Sequence, residues 1–469
     1  MDPAAHPAPG TLIAPTIRPP ARTAALLGLL VLVALVIRID ALRNVAPPVP
    51  EFGDARAYHL LGANLAEGRG MVRPYDLLLA GEEIPTAEYP PGLPVVLAVA
   101  DTVGVDTTTG QRALLCVVGS LTVALIGLLA RRLGGDGAGY LAALLAAVHP
   151  ALWGADVTLM AEPLAAFFGA AVLLAAVAVA DRPSPWRWGL LGAVAGLGCL
   201  VRSEFALVGP ILVAALAWQV HRSATTGSGP VPWRPVLARA AMSLGVLVAV
   251  LVPWTIRNAL AFDAFVPLSN NSGSVARGAN CDAAYSGPFR GLWVTDVSLE
   301  GTGGADDRAG CFSGFPLDGQ NEAVASSELR SDGMAYLRDH LGEVPGVVAA
   351  RVGRTVGLYQ FDQQANFAAA EGRDPAWERR GTRMFQVLVL LGAVGLVVSW
   401  RRRTLTFERL LLLVPPAVAL VTVAVTYGNP RFRAVAEPAI VVLAALGVVD
   451  LVGQQGVLVR SSRRTSSQS

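Results

Sequence analysis

Residues 23–42 read TAALLGLLVLVALVIRIDAL, with charge only at Arg38 and Asp40, both near the end of the run. A helix rises about 1.5 Å per residue, so roughly 20 apolar residues cover the ~30 Å hydrocarbon core of a bilayer. The run is too long for a secretory leader and no small-residue cleavage pattern follows it, so it reads as a retained membrane span. Nine further runs share its character: 110–130, 137–153, 157–179, 187–201, 204–220, 240–256, 382–400, 408–427 and 435–452. Composition agrees, at 53% hydrophobic and 15% charged residues. The expected fold class is an all-α polytopic membrane protein, a bundle of about ten transmembrane helices with extracytoplasmic juxtamembrane helices. A net charge of +2 gives no nucleic-acid footprint.

All 37 basic side chains are Arg. Arg18 with Arg22, Arg131–Arg132, Arg182 with Arg187, and Arg222, Arg234 and Arg239 fall in alternate connections. So do Arg401–Arg403 with Arg409, and Arg460, Arg463 and Arg464. The positive-inside rule makes these segments cytoplasmic, so both termini are expected inside a multi-pass protein of the cell membrane. The chain then divides into an N-terminus (1–22) expected to be disordered, a transmembrane catalytic module (23–257) with an outer loop (43–109), a large outer loop (258–381), C-terminal spans (382–452) and a basic tail (453–469). Leu93–Val103 is too short to span and follows Pro91 and Pro94, so it is read as interfacial or re-entrant. Counting it as a span would put the later Arg clusters outside. Apolar spacing at helical period predicts helix over Asn321–Arg354. Cys281 and Cys311 share the large outer loop and are expected to form a disulfide. Cys116 and Cys199 lie in spans, as apolar packers.

Just outside the first span, Glu51–Leu65 reads EFGDARAYHLLGANL. Asp54 opens a helical pattern with Tyr58, Leu61 and Leu65, and is either a helix N-cap or a general base. Other charges gather at the same ends of spans: Glu162, Arg202 with Glu204, Arg257 with Asn258, and Arg431 with Arg433. Alone, each Arg reads as snorkelling to headgroups. Together, acids and guanidiniums round one cavity suit an anionic ligand and a reaction that needs a base, because Arg holds phosphate bidentately and stays charged. The chain carries no phosphate-binding Gly-Lys loop and no dinucleotide glycine fingerprint. No cofactor or metal cluster is expected, although a divalent metal stays open. The outer compartment lacks nucleotide sugars, so a sugar donor must arrive attached to lipid. A transporter or lipid flippase is the rival; it would put charge at mid-membrane depth on broken, repeated helices.

Six stretches carry a family resemblance: GDARAYHLLGANLAEGRG (53–70), YPPGLPVVLA (89–98), HPALWGADVTLMAEPLAAFF (149–168), GCLVRSEF (198–205), PWTIRNALAFDAFVPLSNNSG (253–273) and NPRFRAVAEP (429–438). In their order, the chain resembles the GT-C membrane glycosyltransferases of the protein O-mannosyltransferase-like and aminoarabinose-lipid A transferase-like kind. The resemblance implies a polyprenyl-phosphate sugar donor, an extracytoplasmic acceptor and inverting transfer. It implies Asp54 as catalytic base and Glu162 as the second acid, with Asp156 as rival. Arg202, Arg257, Arg431 and Arg433 become donor-phosphate ligands; Tyr58, Tyr89 and Asn258 become substrate contacts. Asp54 is followed by Ala55 rather than by a second acid, which departs from the protein O-mannosyltransferase pattern.

Overall fold

A computed structural model describes residues 20–223, 232–295, 310–312 and 321–465. Residues 1–19, including Arg18, and the side chains of Arg460, Arg463 and Arg464 lie outside the described residues. Every one of the ten apolar runs has its helix. The helices that carry these runs are α1 (Ala21–Asn44), α5 (Thr108–Val148), α7 (Glu162–Asp181), α8 (Pro185–Cys199), α9 (Phe205–Ser223), α10 (Trp233–Phe262), α16 (Pro375–Arg401), α17 with α18 (Phe407–Leu411, Val414–Val425) and α19 (Glu437–Thr465). Between them lie α2 (Asp54–Ala66), α3 (Pro74–Ala80), α4 (Gly92–Thr102), α6 (Pro150–Asp156), α11 (Ser272–Ala279), α12 (Asp282–Tyr285), α13 (Glu322–Asp339), α14 (Val344–Val356) and α15 (Phe361–Phe367).

Among the described residues, seven helices are long and apolar enough to cross a membrane. The difference from ten has local causes. The helix α5 carries two of the runs, α8 has only 15 residues, and the apolar part of α19 ends near Val452. Within α5 the chain doubles back at Gly135, whose φ of 81° and ψ of −178° are closed to residues with a Cβ. Beyond that turn Gly139 lies against Arg131 and the backbone of Gly127, so the two arms run antiparallel. Arg131 Nε and Thr23 Oγ1 both donate to Asp136, at 2.7 and 2.9 Å, and clamp the turn to α1.

The bundle is held by α1 on α5, α8 on α10, α5 on α19, and α16 on α19. With lipid outside, close approach of backbones supplies much of the association. A Cβ at Gly192 of α8 would strike the Ser243 carbonyl of α10, and one at Gly395 of α16 would strike Gly447 of α19. Local signals start the helices where the sequence changes character. Thr107 accepts from Gly110 N at 3.1 Å, and Asp374 accepts from Trp377 N at 2.9 Å with Pro375 next in line.

At one end of the bundle the connections form a second layer. The 11-residue α4 is too short to span and packs on α2. The helical spacing over Asn321–Arg354 appears as α13 and α14, interrupted between them by a turn at His340–Glu343. Here α11 packs on α13, and a Cys281–Cys311 disulfide closes a small core with Tyr285, Phe289, Val294 and Val347. Two buried guanidiniums of α14 knit this layer through carbonyls, and one of them also ties it to α18 of the bundle. Arg351 donates to Ala279 O at 2.6 Å and Ala424 O at 3.0 Å; Arg354 donates to Arg290 O and Pro288 O, both at 2.7 Å.

Candidate active site

Gly53, with φ of 104°, bends the chain so that Asp54 becomes the first residue of α2. Asp54 makes no capping bond to the helix amides. Its oxygens turn the other way: Oδ2 accepts from Arg431 Nη1 at 2.8 Å and Oδ1 from the Tyr89 hydroxyl at 2.9 Å. The N-cap alternative is therefore set aside, and Asp54 faces a site with its side chain 37% exposed.

Arg431 sits on a 3₁₀ turn, Pro430–Arg433, between α18 and α19. The side chain of Asn429 caps that turn, accepting from Arg431 N at 3.0 Å, and its amide donates to Glu371 at 3.0 Å. The Arg431 guanidinium joins three carboxylates: Nε to Glu162 Oε1 at 2.5 Å, Nη1 to Asp54, and Nη1 to Glu371 Oε1 at 3.4 Å. Glu162 begins α7, its side chain only 2% exposed, and also meets Arg202 Nη1 at 3.3 Å and Arg373 Nη2 at 3.9 Å. Arg202, in the turn between α8 and α9, pairs with Glu204 at 2.8 Å and lies 5.2 Å over the Phe432 ring. Five distant segments, carrying Asp54, Glu162, Arg202, Glu371 with Arg373, and Arg431, thus converge at one end of the bundle.

The electrostatics follow from burial among opposite charges. Burial opposes charge on Arg202, Arg373 and Arg431, but their carboxylate neighbours outweigh it and hold all three above the ordinary Arg value. Burial raises Glu371 despite Arg431 and Arg373. Burial, with Asp54 adding, pushes Tyr58 and Tyr89 above their usual range, so both stay protonated and Tyr89 remains a donor to Asp54. Tyr427, 5.0 Å from the Phe432 ring, is pushed up to about 12 by burial. Five carboxylates (Asp54, Glu162, Glu204, Glu371, Glu378) surround three guanidiniums (Arg202, Arg373, Arg431). Arg431 Nη2 makes no hydrogen bond to the described residues. Among the described residues no three His, Cys, Asp or Glu stand together as metal ligands.

Other residues singled out from the sequence lie elsewhere. Arg257, at the end of α10, spends its guanidinium on the carbonyls of Thr86 at 2.8 Å and Met71 at 2.5 Å, and stacks over Trp254. Asn258 is buried and donates to Val266 O at 3.0 Å. Both fasten the outer loops to α10 rather than face Asp54. Arg433 leaves its turn on a different side from Arg431, as residues two apart in a 3₁₀ helix must. It pairs with Glu437 at 3.3 Å, lies 4.3 Å over Phe385, and reaches the cluster only through Glu378 at 4.0 Å. Tyr58 is buried behind Tyr89, ring centroids 4.9 Å apart. Asp156, the rival second acid, is buried against Arg38 at 2.7 Å.

Sequence reading missed Glu371, Arg373 and Glu378. The run EGRDPAWE holds three acids and an Arg just before a span, with an Asp-Pro helix start, and was the available signal. Beneath the cluster, Glu162, Arg373, Arg433 and Glu437 line a cavity with 20 Å³ of room for water centres. That suffices for one or two waters, since each needs about 10–15 Å³. Glu162 Oε2 and Arg373 Nε are buried there without protein hydrogen bonds, which is the chemistry such a water satisfies.

Residues 88–254 match the family model described as dolichyl-phosphate-mannose-protein mannosyltransferase. That stretch contains Tyr89, Glu162 and Arg202 but neither Asp54 nor Arg431. No curated protein sequence matches the chain. Among solved structures, the chain is similar to the oligosaccharyltransferase AglB from Archaeoglobus fulgidus in complex with an inhibitory peptide and a dolichol-phosphate. The TM-score is 0.51 at 16% identity, over 95% of this chain and 52% of that one. It is also similar to an apo-form oligosaccharyltransferase of the same archaeon, with a TM-score of 0.51, 13% identity, 94% of this chain and 52% of that one. The chain spans about half the length of these structures. It is a multi-pass membrane protein whose fold is that of the GT-C membrane glycosyltransferases.

Proposed function

We propose that this chain is a membrane glycosyltransferase that moves a sugar from a polyprenyl phosphate to an acceptor hydroxyl on the extracytoplasmic face. The observation that carries the reading is the guanidinium of Arg431, which ties Asp54, Glu162 and Glu371 together at one end of the bundle. The fold shared with an enzyme holding dolichol-phosphate and the family match over residues 88–254 support it. Arg431 and Arg202 receive the donor phosphate. Glu162, buried beneath them, fixes both guanidiniums. The acceptor hydroxyl is oriented at Asp54 and attacks the anomeric carbon in line, so the configuration inverts. As the bond to phosphate breaks, charge develops on the leaving oxygen beside Arg431, where a fixed donor is worth most. Positive-inside arginines support an outward-facing site with both termini cytoplasmic.

The test is purified protein incubated with a panel of hexosyl- and pentosyl-polyprenyl phosphates and envelope acceptors, read by mass spectrometry. Transfer from at least one donor, abolished in Arg431→Ala, is expected. Flipping of a polyprenyl phosphate across vesicles without any transfer would make the chain a flippase instead.

A further inference from the structure

A ladder of aromatic rings leads away from the arginines of the site. Phe432 follows Arg431 in the chain, and the Arg202 guanidinium lies 5.2 Å over its ring. Tyr427 meets Phe432 edge-on, with ring centroids 5.0 Å apart and planes at 75°. Trp293 comes next, 6.3 Å from the Tyr427 ring and inclined to it by 36°, and Phe312 meets Trp293 edge-on at 6.1 Å. The rungs are fixed by their backbones. Gly428 N donates to Gly291 O at 2.7 Å, which ties the chain beside Tyr427 to the chain beside Trp293. A Cβ at Gly428 would strike the Arg351 carbonyl, so that approach needs glycine. Trp293 lies against Gly278 of α11, where a Cβ would strike the indole. Val294 N donates to Gly278 O at 2.9 Å, and the indole N–H of Trp293 donates to Ser274 O at 3.0 Å.

The rings differ in what they leave open. Phe432 is 9% exposed and offers little surface, whereas Tyr427 and Trp293 are half-buried. With its N–H spent on Ser274, Trp293 presents only ring surface. Tyr427 is the complement: its hydroxyl makes no hydrogen bond to any described residue, although a tyrosine hydroxyl in such packed surroundings ordinarily has a partner. Rigid aromatic surface beside one unspent hydroxyl matches a sugar ring. One side of such a ring presents C–H groups that pack on an aromatic face, and its rim presents hydroxyls that pair with a phenol. Surface held this firmly binds at little ordering cost.

We propose that Trp293 and Tyr427 form the acceptor subsite and that the acceptor is a saccharide, one of whose rings lies on the indole with a hydroxyl bonded to the Tyr427 phenol. This rests on the glycosyltransferase reading above. The donor sugar is joined directly to the phosphate, so it belongs beside Arg202 and Arg431, where Phe432 offers little surface. Trp293 stands beyond Tyr427, so a ring laid on it is a second sugar. A peptide acceptor fits less well: among the described residues this wall has no strand edge to pair with a peptide backbone.

The experiment gives the full chain, purified in detergent, the donor panel with linear trisaccharides of mannose, arabinose and galactose, and a Ser/Thr-rich peptide, as acceptor probes. Saccharide binding is measured by titration without donor, and KM for donor and acceptor separately. Wild type is expected to bind at least one trisaccharide and extend it. Trp293→Ala should weaken that binding and raise the saccharide KM about fivefold or more, with Trp293→Phe recovering part of the loss. Tyr427→Phe removes only the hydroxyl and should raise the same KM about 2–10-fold. Both should keep wild-type affinity for polyprenyl phosphate, which carries no sugar. Saccharide affinity unchanged in both variants, or a wild type that binds no trisaccharide, overturns the subsite. So does a rise in donor KM alone, which makes the rings a platform for the donor sugar. Transfer to the peptide and to no saccharide overturns it too, while leaving the glycosyltransferase reading intact. If Trp293→Ala does not fold, Tyr427→Phe decides. A wild type that transfers from no donor to any acceptor overturns the glycosyltransferase reading, and the acceptor role falls with it.

Discussion

Arg431 offers one guanidinium to three carboxylates and keeps one nitrogen open, which a lysine ammonium has no geometry to imitate. Arg431→Lys is therefore expected to lower transfer at least about a hundredfold and to weaken donor binding, measured by turnover and by titration of polyprenyl phosphate. Arg433→Ala makes the contrast. It leaves Glu437 and Glu378 buried short of a partner, so it should lower stability by roughly 3–5 kcal/mol, seen as a lower melting temperature in detergent. What stays folded should keep its specific activity within a few-fold. Asp54→Asn should retain donor affinity and lose about 10²-fold or more in kcat, since it disturbs the orienting oxygen and the Arg431 pair together. Asp54, Glu162, Arg202 and Arg431 were legible as a group because each is a charge that a span end cannot leave in lipid. Arg257 and Arg433 belong to the same class in sequence but not in space. Neither the azimuth of a 3₁₀ turn nor the approach of the residue 71–86 backbone to Arg257 has any signature in the chain itself. Glu371 and Arg373 escaped notice because charges in a long outer loop read as solvated.

At the scale of elements, the apolar runs translate almost directly into helices, because a run of this length has only one way to satisfy its backbone in lipid. The reversal inside α5 is subtler. GGDGAG between two apolar arms, with Arg131–Arg132 before it, marks a turn in sequence. The structure assigns the reversal to Gly135, in a backbone region that only glycine occupies cheaply. Gly135→Ala should cost about 1–3 kcal/mol, visible as a lower melting temperature, whereas the same change at Gly137 should cost less. In the outer layer, the Cys281–Cys311 bridge closes a sequence separation of 30 residues. Replacing either cysteine by serine should destabilise that layer by about 3–4 kcal/mol in the chain-entropy picture, measurable as increased proteolysis of the loop around it.

For the whole molecule, the alternation of arginine clusters implies that the α7–α8 connection is cytoplasmic and the connection before α5 is not. Single cysteines placed at Ser184 and at Asp106 should be reached by an impermeant thiol reagent from opposite sides of the membrane; labelling of both from one side would break the topology. The cluster itself has one more consequence. Asp54 and Arg431 are separated by 377 positions along the chain. A ribosome making this protein has delivered Asp54 long before it delivers the guanidinium that pairs with it. Until the helices that flank Arg431 insert, Glu162 already has Arg202 and Arg373 beside it, but Asp54 waits without its guanidinium. Completion of synthesis is thus what joins the first outer helix to the far end of the chain, and an interrupted chain lacks that tie.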